Sequence, residues 1–351
     1  MIIPGVKENW SGRVTTVTIG ATEAEGGTRG RTVTIGGASG MPFLSFDGEA
    51  PNPPAIAMEV FDKEPATWPK PLEDVYGDVW SAPAAWARRV KELGADLVNL
   101  RLVSTHPDEG NRSPEEAVET VQAVLEAVDL PLIVWGCQVP EKDQRVMPKV
   151  AEATRGENCL LGAATEADYR TLTAAAQAYG HKLIALAPCD INKTKQVNIL
   201  ITDMGYPLEN IVSYPTTAAL GYGMEYIYSI LERGRLAALS GDRFLAQPVI
   251  LDVGYEAWRA KEAKADDEFA HVWGPAARRG PAWEAVTATT FLQSGVDLLV
   301  MCHPTAVEAV RNAVGQLTGA RLTATAGRIS APGRRIPMVA ECDSVRAHGI
   351  S

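Results

Sequence analysis

Residues 253–263 read V-G-Y-E-A-W-R-A-K-E-A, and the fold of the chain follows from this stretch and its surroundings. The run before it, residues 248–253, is apolar and rich in β-branched side chains, which is typical of a buried parallel strand. Gly254 has no Cβ, so the backbone can turn there or another segment can come close. Tyr255 and Glu256 follow where a strand passes into a helix, and this end of a strand carries the functional groups in β/α proteins.

The composition indicates a large globular protein without a nucleic-acid-binding face. Hydrophobic residues make up 46% of the 351 residues, enough for a sizeable core. The net charge of −10 argues against nucleic acid as a partner, because binding to phosphates needs a basic surface. No apolar run approaches the roughly 20 residues that span a bilayer, and residues 1–7 hold no apolar stretch of signal-peptide length. We therefore expect a cytoplasmic protein without a membrane partner.

Strand-like runs alternate with helix-like segments from Ala55 onward. Ser113 and Glu116 form a capping-box pattern at the start of one such helix. The repetition predicts an α/β fold of the (β/α)8 TIM-barrel type, because an open doubly wound sheet would call for a Gly-rich dinucleotide turn that is missing here. The eight predicted strands are residues 55–61, 97–102, 130–137, 159–165, 182–188, 211–216, 248–253 and 297–303.

The remaining segments define the expected domain organisation. Residues 14–19 and 32–35 predict a β-hairpin ahead of the barrel. Two unusually long connections, residues 62–80 and 255–280, follow the first and seventh strands and should lie on the C-terminal face. The expected domains are a hairpin with its lead-in over residues 1–54, the barrel over 55–317 and a basic, mobile tail over 318–351.

Polar residues at the strand ends form the expected rim of the barrel mouth. Glu59 and Asp252 could act as a general acid–base pair. They could equally well pair with Arg101, which would be a structural arrangement. The sequence leaves both alternatives open. The full rim consists of Glu59, Asn99, Arg101, Thr165, Asp190, Asn192, Thr216, Asp252, Glu256 and His303.

The cysteines and histidines lack the spacing of a metal site. The five cysteines are far apart, contain no C-x-x-C pair and lie mostly in or beside apolar runs. We expect them to be small buried side chains in a reducing compartment, without an iron–sulfur or zinc site on this chain. The five histidines show no H-E-x-x-H pattern. We predict no metal ligands.

Two motifs show a resemblance to one known family. At residues 253–263, and at residues 220–226 with the sequence L-G-Y-G-M-E-Y, the chain resembles the small subunit of the corrinoid iron–sulfur protein, also called the delta subunit of acetyl-CoA decarbonylase/synthase. The resemblance runs from about Val14 to Leu317. Further similar segments are residues 19–22, 26–29, 58–60, 94–97, 190–192 and 283–289.

The resemblance implies a (β/α)8 subunit paired with a large subunit that carries a [4Fe–4S] cluster and a cobalamin-binding domain. The cobalamin would be held between that domain and the mouth of this barrel. Its cobalt would accept a methyl group from methyltetrahydrofolate through a separate methyltransferase and deliver it to acetyl-CoA synthase, in the reductive acetyl-CoA pathway. This chain would then be a non-catalytic subunit of a methyl carrier, with no cluster and no catalytic residue of its own.

The resemblance also places the cobalamin contacts on this chain. Two positions depart from the family pattern: residues 214–219 lack a D-P-S-rich form, and Cys302 stands where a basic residue is expected. The implied contact residues are Asp190, Asn192, Thr216, Gly221, Tyr222, Gly254, Tyr255 and Glu256.

Two other functions fit the same sequence. A purely structural partner subunit would never touch the cobalamin. A pterin-binding methyltransferase barrel would bind methyltetrahydrofolate itself, with hydrogen bonds from Glu59, Asn99, Asp190, Asn192 and Asp252.

Overall fold

A computed structural model describes residues 8–44 and 46–318. Within these residues, two strands form an antiparallel hairpin and eight form one parallel sheet. The strands are β1 (Thr16–Ile19), β2 (Val33–Gly36), β3 (Ala55–Phe61), β4 (Leu97–Arg101), β5 (Leu132–Trp135), β6 (Leu160–Thr165), β7 (Lys182–Leu186), β8 (Ile211–Tyr214), β9 (Ile250–Asp252) and β10 (Leu298–Met301).

Twelve α-helices occur in the same part of the chain, and none of them is both long and apolar enough to cross a membrane. The predicted tail over residues 318–351 falls outside the described residues, apart from the last residue of the final helix. The helices are α1 (Lys70–Tyr76), α2 (Pro83–Glu92), α3 (Pro114–Ala127), α4 (Pro140–Ala153), α5 (Arg170–Tyr179), α6 (Ile191–Asp203), α7 (Met224–Leu239), α8 (Val253–Ala257), α9 (Lys261–Lys264), α10 (Ala270–Trp273), α11 (Ala276–Ser294) and α12 (Pro304–Thr318).

The parallel strands form a TIM barrel. Their order around the sheet is β8-β7-β6-β5-β4-β3-β10-β9, and β8 meets β9 at a single bridge between Ser213 and Val249. Each predicted strand run contains one observed strand, so the barrel prediction is confirmed and the doubly wound alternative is wrong. Several observed strands end before the predicted runs do; β8, for example, ends at Tyr214, ahead of Thr216, whose positive φ angle of 68° is incompatible with a regular strand.

The predicted hairpin is present and covers the N-terminal end of the barrel. The Nδ2 of Asn158, which lies just before β6, donates to the carbonyls of Thr18 and Gly20 at 3.0 Å each. The Thr15 amide donates to the carbonyl of Ala246, ahead of β9, at 2.6 Å. The hairpin therefore packs against segments that precede the barrel strands, and it does not cover the C-terminal face of the barrel.

Arg29 anchors the connection between the two hairpin strands. It is buried, and its Nε lies 2.7 Å from Oε2 of Glu157. Its guanidinium also donates to the carbonyls of Val128 at 2.7 Å and Leu125 at 3.0 Å. The family-like segment at residues 26–29 therefore has a structural role at the closed end of the barrel.

The long connection after β9 is ordered as three short helices, α8 to α10, before α11 begins. The side chain of Arg279 in α11 anchors this connection through hydrogen bonds to its backbone carbonyls. Its Nε donates to the Glu262 carbonyl at 2.5 Å and its Nη1 to the Gly274 carbonyl at 2.6 Å, and Nη2 donates to Ala265. One buried guanidinium thus binds successive turns of this connection and fixes their course over the barrel mouth.

Gly254 is needed for close packing and not for a turn. It lies inside α8 with an ordinary helical φ, and the end of β10 passes directly against it. A Cβ at this position would stand 2.6 Å from Sγ and 2.7 Å from the backbone nitrogen of Cys302. Of the two roles that the sequence allowed, the close approach is the one observed.

We expect Gly254→Ala to lower the free energy of unfolding by about 1–3 kcal/mol, the usual cost of overpacking a rigid core. The matched control is Gly234→Ala in α7, where nothing lies within 4 Å of the added methyl group. That change should raise stability by roughly 0.5–1 kcal/mol, because alanine is the better helix former. Urea unfolding of the two variants measures the contrast, and equal effects would contradict the packing role.

Candidate functional site

A cavity of about 780 Å³ opens at the carboxyl ends of the barrel strands. One wall comes from the connection after β3, including Trp68, and another from Tyr255 of α8 and Trp258 just after it. The floor includes Arg101 and Asp252. The volume is in the range of small-molecule and cofactor sites, and the position is the usual one for barrel proteins.

The cavity brings together four of the eight predicted contact residues: Thr216, Gly254, Tyr255 and Glu256. The other four lie outside its lining. Among the ten predicted rim residues, those that line it are Arg101, Thr216, Asp252 and Glu256.

Asp190 and Tyr222 have local structural roles. Asp190 caps α6, since its Oδ1 accepts from the backbone amides of Asn192 at 2.8 Å and Lys193 at 3.2 Å. The Tyr222 hydroxyl donates to Oε2 of Glu262 at 2.9 Å and accepts from the Lys261 amide at 3.1 Å. Tyr222, beside Gly221 with its positive φ of 79°, therefore holds α9 in place.

A buried ion-pair network forms the cavity floor. Arg101 Nη2 lies 2.6 Å from Oδ2 of Asp252 and 3.1 Å from Oε2 of Glu59, and its Nε lies 3.2 Å from Oε1 of Glu59. Asn99 donates to Oε1 of Glu59 at 3.0 Å and accepts from the Trp135 indole at 2.6 Å. Both carboxyls are thus held by Arg101, which is the structural alternative of the two that the sequence allowed.

Burial acts on both carboxyls of the floor. It raises the pKa of Asp252 and that of Glu59, while Arg101 opposes the rise in both. A hydrogen bond from the backbone amide of Tyr255 also acts to lower the pKa of Asp252. The charged groups of the floor are therefore held by one another and by the start of α8.

Tyr255 connects the floor to the rim. Its ring centroid lies 4.9 Å from Cζ of Arg101 and 5.3 Å from Cζ of Arg259. Arg259 in turn pairs with Glu256 at 3.0 Å. Such cation–π contacts fix the plane of the tyrosine ring. The ring thus stands as a rigid wall, 38% exposed.

The positively and negatively charged side chains that line the cavity are equal in number. Apart from His106, the cavity lining contains four basic and four acidic side chains. Lys63 pairs with Glu109 at 2.7 Å, in addition to the pairs made by Arg101 and Arg259. A wall without net charge suits a neutral ligand better than a phosphate or a nucleotide. The charged residues are Lys63, Arg101, Arg259 and Lys264, and Glu64, Glu109, Asp252 and Glu256.

Four loops at the carboxyl ends of the strands have non-glycine residues in the left-handed region. They are Asn111 after β4, Gln138 after β5, Cys189 after β7 and Thr216 after β8, with φ angles of 50°, 63°, 46° and 68°. A β-branched residue such as threonine seldom adopts this conformation, which costs on the order of 1–3 kcal/mol. The Thr216 hydroxyl compensates in part by donating to the Pro215 carbonyl at 2.5 Å and accepting from the Cys189 amide at 3.3 Å.

Glu284 joins the motif at residues 253–263 to the segment that follows β10. This residue of α11 is fully buried. It accepts from the Trp258 indole at 2.7 Å and from the backbone amides of Cys302 at 2.5 Å and His303 at 3.0 Å. Burial raises its pKa to about 7, and these three donors oppose the rise. The role of Glu284 was missed from the sequence, because a glutamate at an internal helix position resembles an exposed one.

Comparison with known proteins identifies the family. The sequence matches the family model of the CO dehydrogenase/acetyl-CoA synthase delta subunit over residues 16–306. It is 41% identical over 338 residues to the acetyl-CoA decarbonylase/synthase complex subunit delta of Archaeoglobus fulgidus, covering 95% of this chain and 74% of that relative. The chain belongs to this family. The subunit delta of Methanopyrus kandleri is 42% identical over 317 residues, covering 90% of this chain and 78% of that relative.

Among solved structures, this delta-family barrel is similar to the dihydropteroate synthase of Xanthomonas albilineans, determined with indole-2-carboxylic acid and 6-chloroguanine. The TM-score is 0.53 at 15% sequence identity, and the match covers 80% of this chain and 98% of the synthase. At such low identity the likeness shows a shared barrel fold alone.

The cysteines of this delta-family chain are less uniformly buried than the sequence predicted. Cys159 and Cys302 are buried and Cys137 is half-buried, but Cys189 is exposed because it lies on the rim loop after β7. Cys302 stands where a basic residue was expected, and its side chain packs beside Gly254. Residues 8–44 and 46–318 contain no group of three or more His, Cys, Asp and Glu side chains that could hold a metal ion.

Proposed function

We propose that this barrel covers a cobalamin that is held mainly by a partner subunit. The observation that supports this proposal is the cavity of about 780 Å³ at the barrel mouth of a delta-family chain, with a charge-balanced wall. The partner would be the corrinoid iron–sulfur protein large subunit, which carries the [4Fe–4S] cluster. The pair would serve as a methyl carrier between a methyltetrahydrofolate methyltransferase and acetyl-CoA synthase.

The cavity wall fits the chemistry of a corrin. A corrin is a broad, largely apolar ring with neutral carboxamide side chains, and cobalt bound in it supplies a nucleophile that can carry a methyl group. The aromatic part of the wall offers Phe61, Trp68, Tyr214, Tyr255 and Trp258. Flat apolar walls with a few polar groups are typical of cofactor sites.

The residues of this chain would position the ring and exclude water. Tyr255 and Glu256 would stand against its edge, and Thr216 would face it from the end of the neighbouring strand, β8. Gly254 allows α8 to pack directly on β10, which keeps this wall close to the floor. Excluding water protects a strongly nucleophilic metal from side reactions.

The pterin-binding alternative is disfavoured by the hydrogen bonds on the floor. Glu59 and Asn99 are both engaged by neighbouring side chains, and Asp252 is held by Arg101. Asp190 caps a helix. A pterin needs several convergent donors and acceptors, and most of the candidates are already paired.

The variant Tyr255→Ala tests whether the barrel mouth covers the cobalamin. With the large subunit co-expressed, we expect a changed cobalt absorption spectrum and a roughly 2- to 10-fold slower methyl transfer, because an aromatic contact contributes about 0.5–1.5 kcal/mol. The matched control is Tyr226→Ala, at an exposed tyrosine of α7 outside the cavity lining. An unchanged spectrum and rate in Tyr255→Ala would favour a purely structural subunit. A native partner that carries neither a corrinoid nor an iron–sulfur cluster would contradict the proposal altogether.

A further inference from the structure

We propose that the large subunit docks with a basic surface on an exposed apolar ridge beside the barrel mouth, formed by Phe269, Val272 and Trp273. This inference rests on the proposed function and names the surface of this chain that would bind the partner protein itself. It is separate from the cavity, which would bind the cobalamin that the partner carries. The two surfaces can therefore be tested independently.

The ridge lies in the connection after β9, which also forms part of the cavity wall. Tyr255, Glu256 and Lys264 of this connection line the cavity, and the ridge follows shortly after Lys264. A partner that holds a ligand above the mouth has to contact the segments that border it. The ridge is therefore placed where a partner that carries cobalamin would meet this chain.

The side chains of the ridge are exposed although they are large and apolar. Phe269 is 43% exposed, Val272 65% and Trp273 39%. The two aromatic rings stack, with centroids 5.2 Å apart and an angle of 22° between their planes. Single exposed apolar side chains are common, but a cluster of them marks an interaction site, and aromatic residues are enriched in interface cores.

The backbone on both sides of the ridge is fixed. The buried guanidinium of Arg279 donates to the carbonyl of Asp266 at 3.2 Å and to that of Gly274 at 2.6 Å. Its Cζ also lies 5.9 Å from the ring centroid of Trp273. A surface that is already ordered loses little conformational entropy on binding, which favours docking of a protein without rearrangement of the ridge.

An acidic turn precedes the ridge and indicates the charge of the partner. This turn, Asp266, Asp267 and Glu268, is exposed, and within the described residues none of its carboxylates is in an ion pair. Asp266 Oδ1 accepts from the Glu268 amide at 2.9 Å, and Asp267 Oδ1 accepts from the Ala276 amide at 2.7 Å. Because charges across an interface are complementary, we expect lysine and arginine side chains of the large subunit opposite this turn.

The experiment measures the dissociation constant and the association rate between the full-length chain and the large subunit prepared without cobalamin. We expect Trp273→Ala to weaken binding roughly 30-fold, the effect of truncating a tryptophan in the core of an interface. In Asp266→Asn/Asp267→Asn/Glu268→Gln, the asparagine oxygens can keep both bonds to backbone amides while the negative charges are removed. This variant should associate roughly 10-fold more slowly at low ionic strength, and its association rate should depend less on salt.

The matched control for Trp273→Ala is Leu317→Ala, at an equally exposed apolar side chain near the end of α12. The control for the acidic turn is Glu115→Gln/Glu119→Gln/Glu126→Gln, which removes three exposed charges from α3. Both controls should bind the large subunit as the wild-type chain does. A melting temperature close to that of wild type shows that a variant with weaker binding is still folded.

A second measurement needs no variant. Amide hydrogen exchange of residues 266–274 should slow when the native complex forms, because docking protects the ridge from water. Unchanged exchange there, with slower exchange elsewhere on the barrel, would place the interface on another surface and overturn the inference.

The outcomes separate this inference from the proposed function. If Trp273→Ala binds the cobalamin-free large subunit as tightly as wild type, or if wild type does not bind it, the docking surface is wrong. If wild type binds the loaded and the cobalamin-free subunit equally tightly, the proposed function is contradicted. We expect Trp273→Ala to bind both forms more weakly and to keep the preference for the loaded one.

Discussion

Arg101→Met is expected to lower the free energy of unfolding by about 3–5 kcal/mol, because removing one partner of a buried ion pair leaves uncompensated charge in the core. Here two carboxyls, Glu59 and Asp252, would lose the cation that lies 3.1 Å and 2.6 Å from them. Neither can reach solvent, since both are buried. Urea unfolding monitored by tryptophan fluorescence measures the loss.

Two further variants complete this test. Arg259→Met removes the partner of Glu256 at the rim, where the arginine side chain is 60% exposed, and should cost less than about 1 kcal/mol. Replacing all three floor residues, in Glu59→Leu/Arg101→Met/Asp252→Leu, should recover most of the lost stability because no buried charge remains. A triple variant no more stable than Arg101→Met would show that the network is needed for packing and not for charge compensation.

Glu284→Ala is expected to lower the free energy of unfolding by about 3–5 kcal/mol, because each buried N–H group that loses its acceptor costs about 1–3 kcal/mol. Three such groups lose their partner at once: the Trp258 indole and the backbone amides of Cys302 and His303. Differential scanning calorimetry measures the shift. Glu308→Ala, at an exposed position on α12, should stay within about 0.5 kcal/mol of wild type.

The contribution of Glu284 to the free energy of unfolding should decrease as pH rises. Burial raises the pKa of Glu284 from 4.5 to about 7, so between these values the folded chain holds a proton that the unfolded chain releases. Stability from this group is present below pH 4.5 and is lost as pH rises to 7, by roughly 3 kcal/mol. Glu284→Gln lacks the titration, so the stability advantage of wild type over this variant should shrink across that window. An advantage that is constant or grows with pH would mean that the three donors outweigh burial.

Local patterns in the sequence were sufficient for the strands, the capping box and the neighbourhood of the site. The Ser113 side chain accepts from the Glu116 amide as its spacing predicts, because both residues lie within one helical turn. Thr216, Tyr255 and Glu256 line the cavity because the carboxyl ends of parallel strands meet at one face of a barrel. These features could be predicted from the apolar periodicity of the sequence and from the way strands and helices connect in β/α proteins.

Contacts between distant parts of the chain were beyond local patterns. Arg101 and Asp252 are separated by 151 residues, and their pairing depends on the order of strands around the barrel. The distinction between Tyr255 on the cavity wall and Tyr222 as a tether for α9 likewise appears only in three dimensions. Nothing in their sequence context separates these two tyrosines.

The sequence by itself determined the barrel, the hairpin and the face on which residues 253–263 lie, because apolar periodicity and turn residues act over a few positions. The tertiary structure alone decided what that face contains: a paired charge network and a tyrosine stacked between two arginines. The physical reason is that burial and hydrogen-bond partners are properties of the packed chain. In the packed chain Glu59 and Asp252 both pair with Arg101. The next question about function is therefore which ligand binds above these residues.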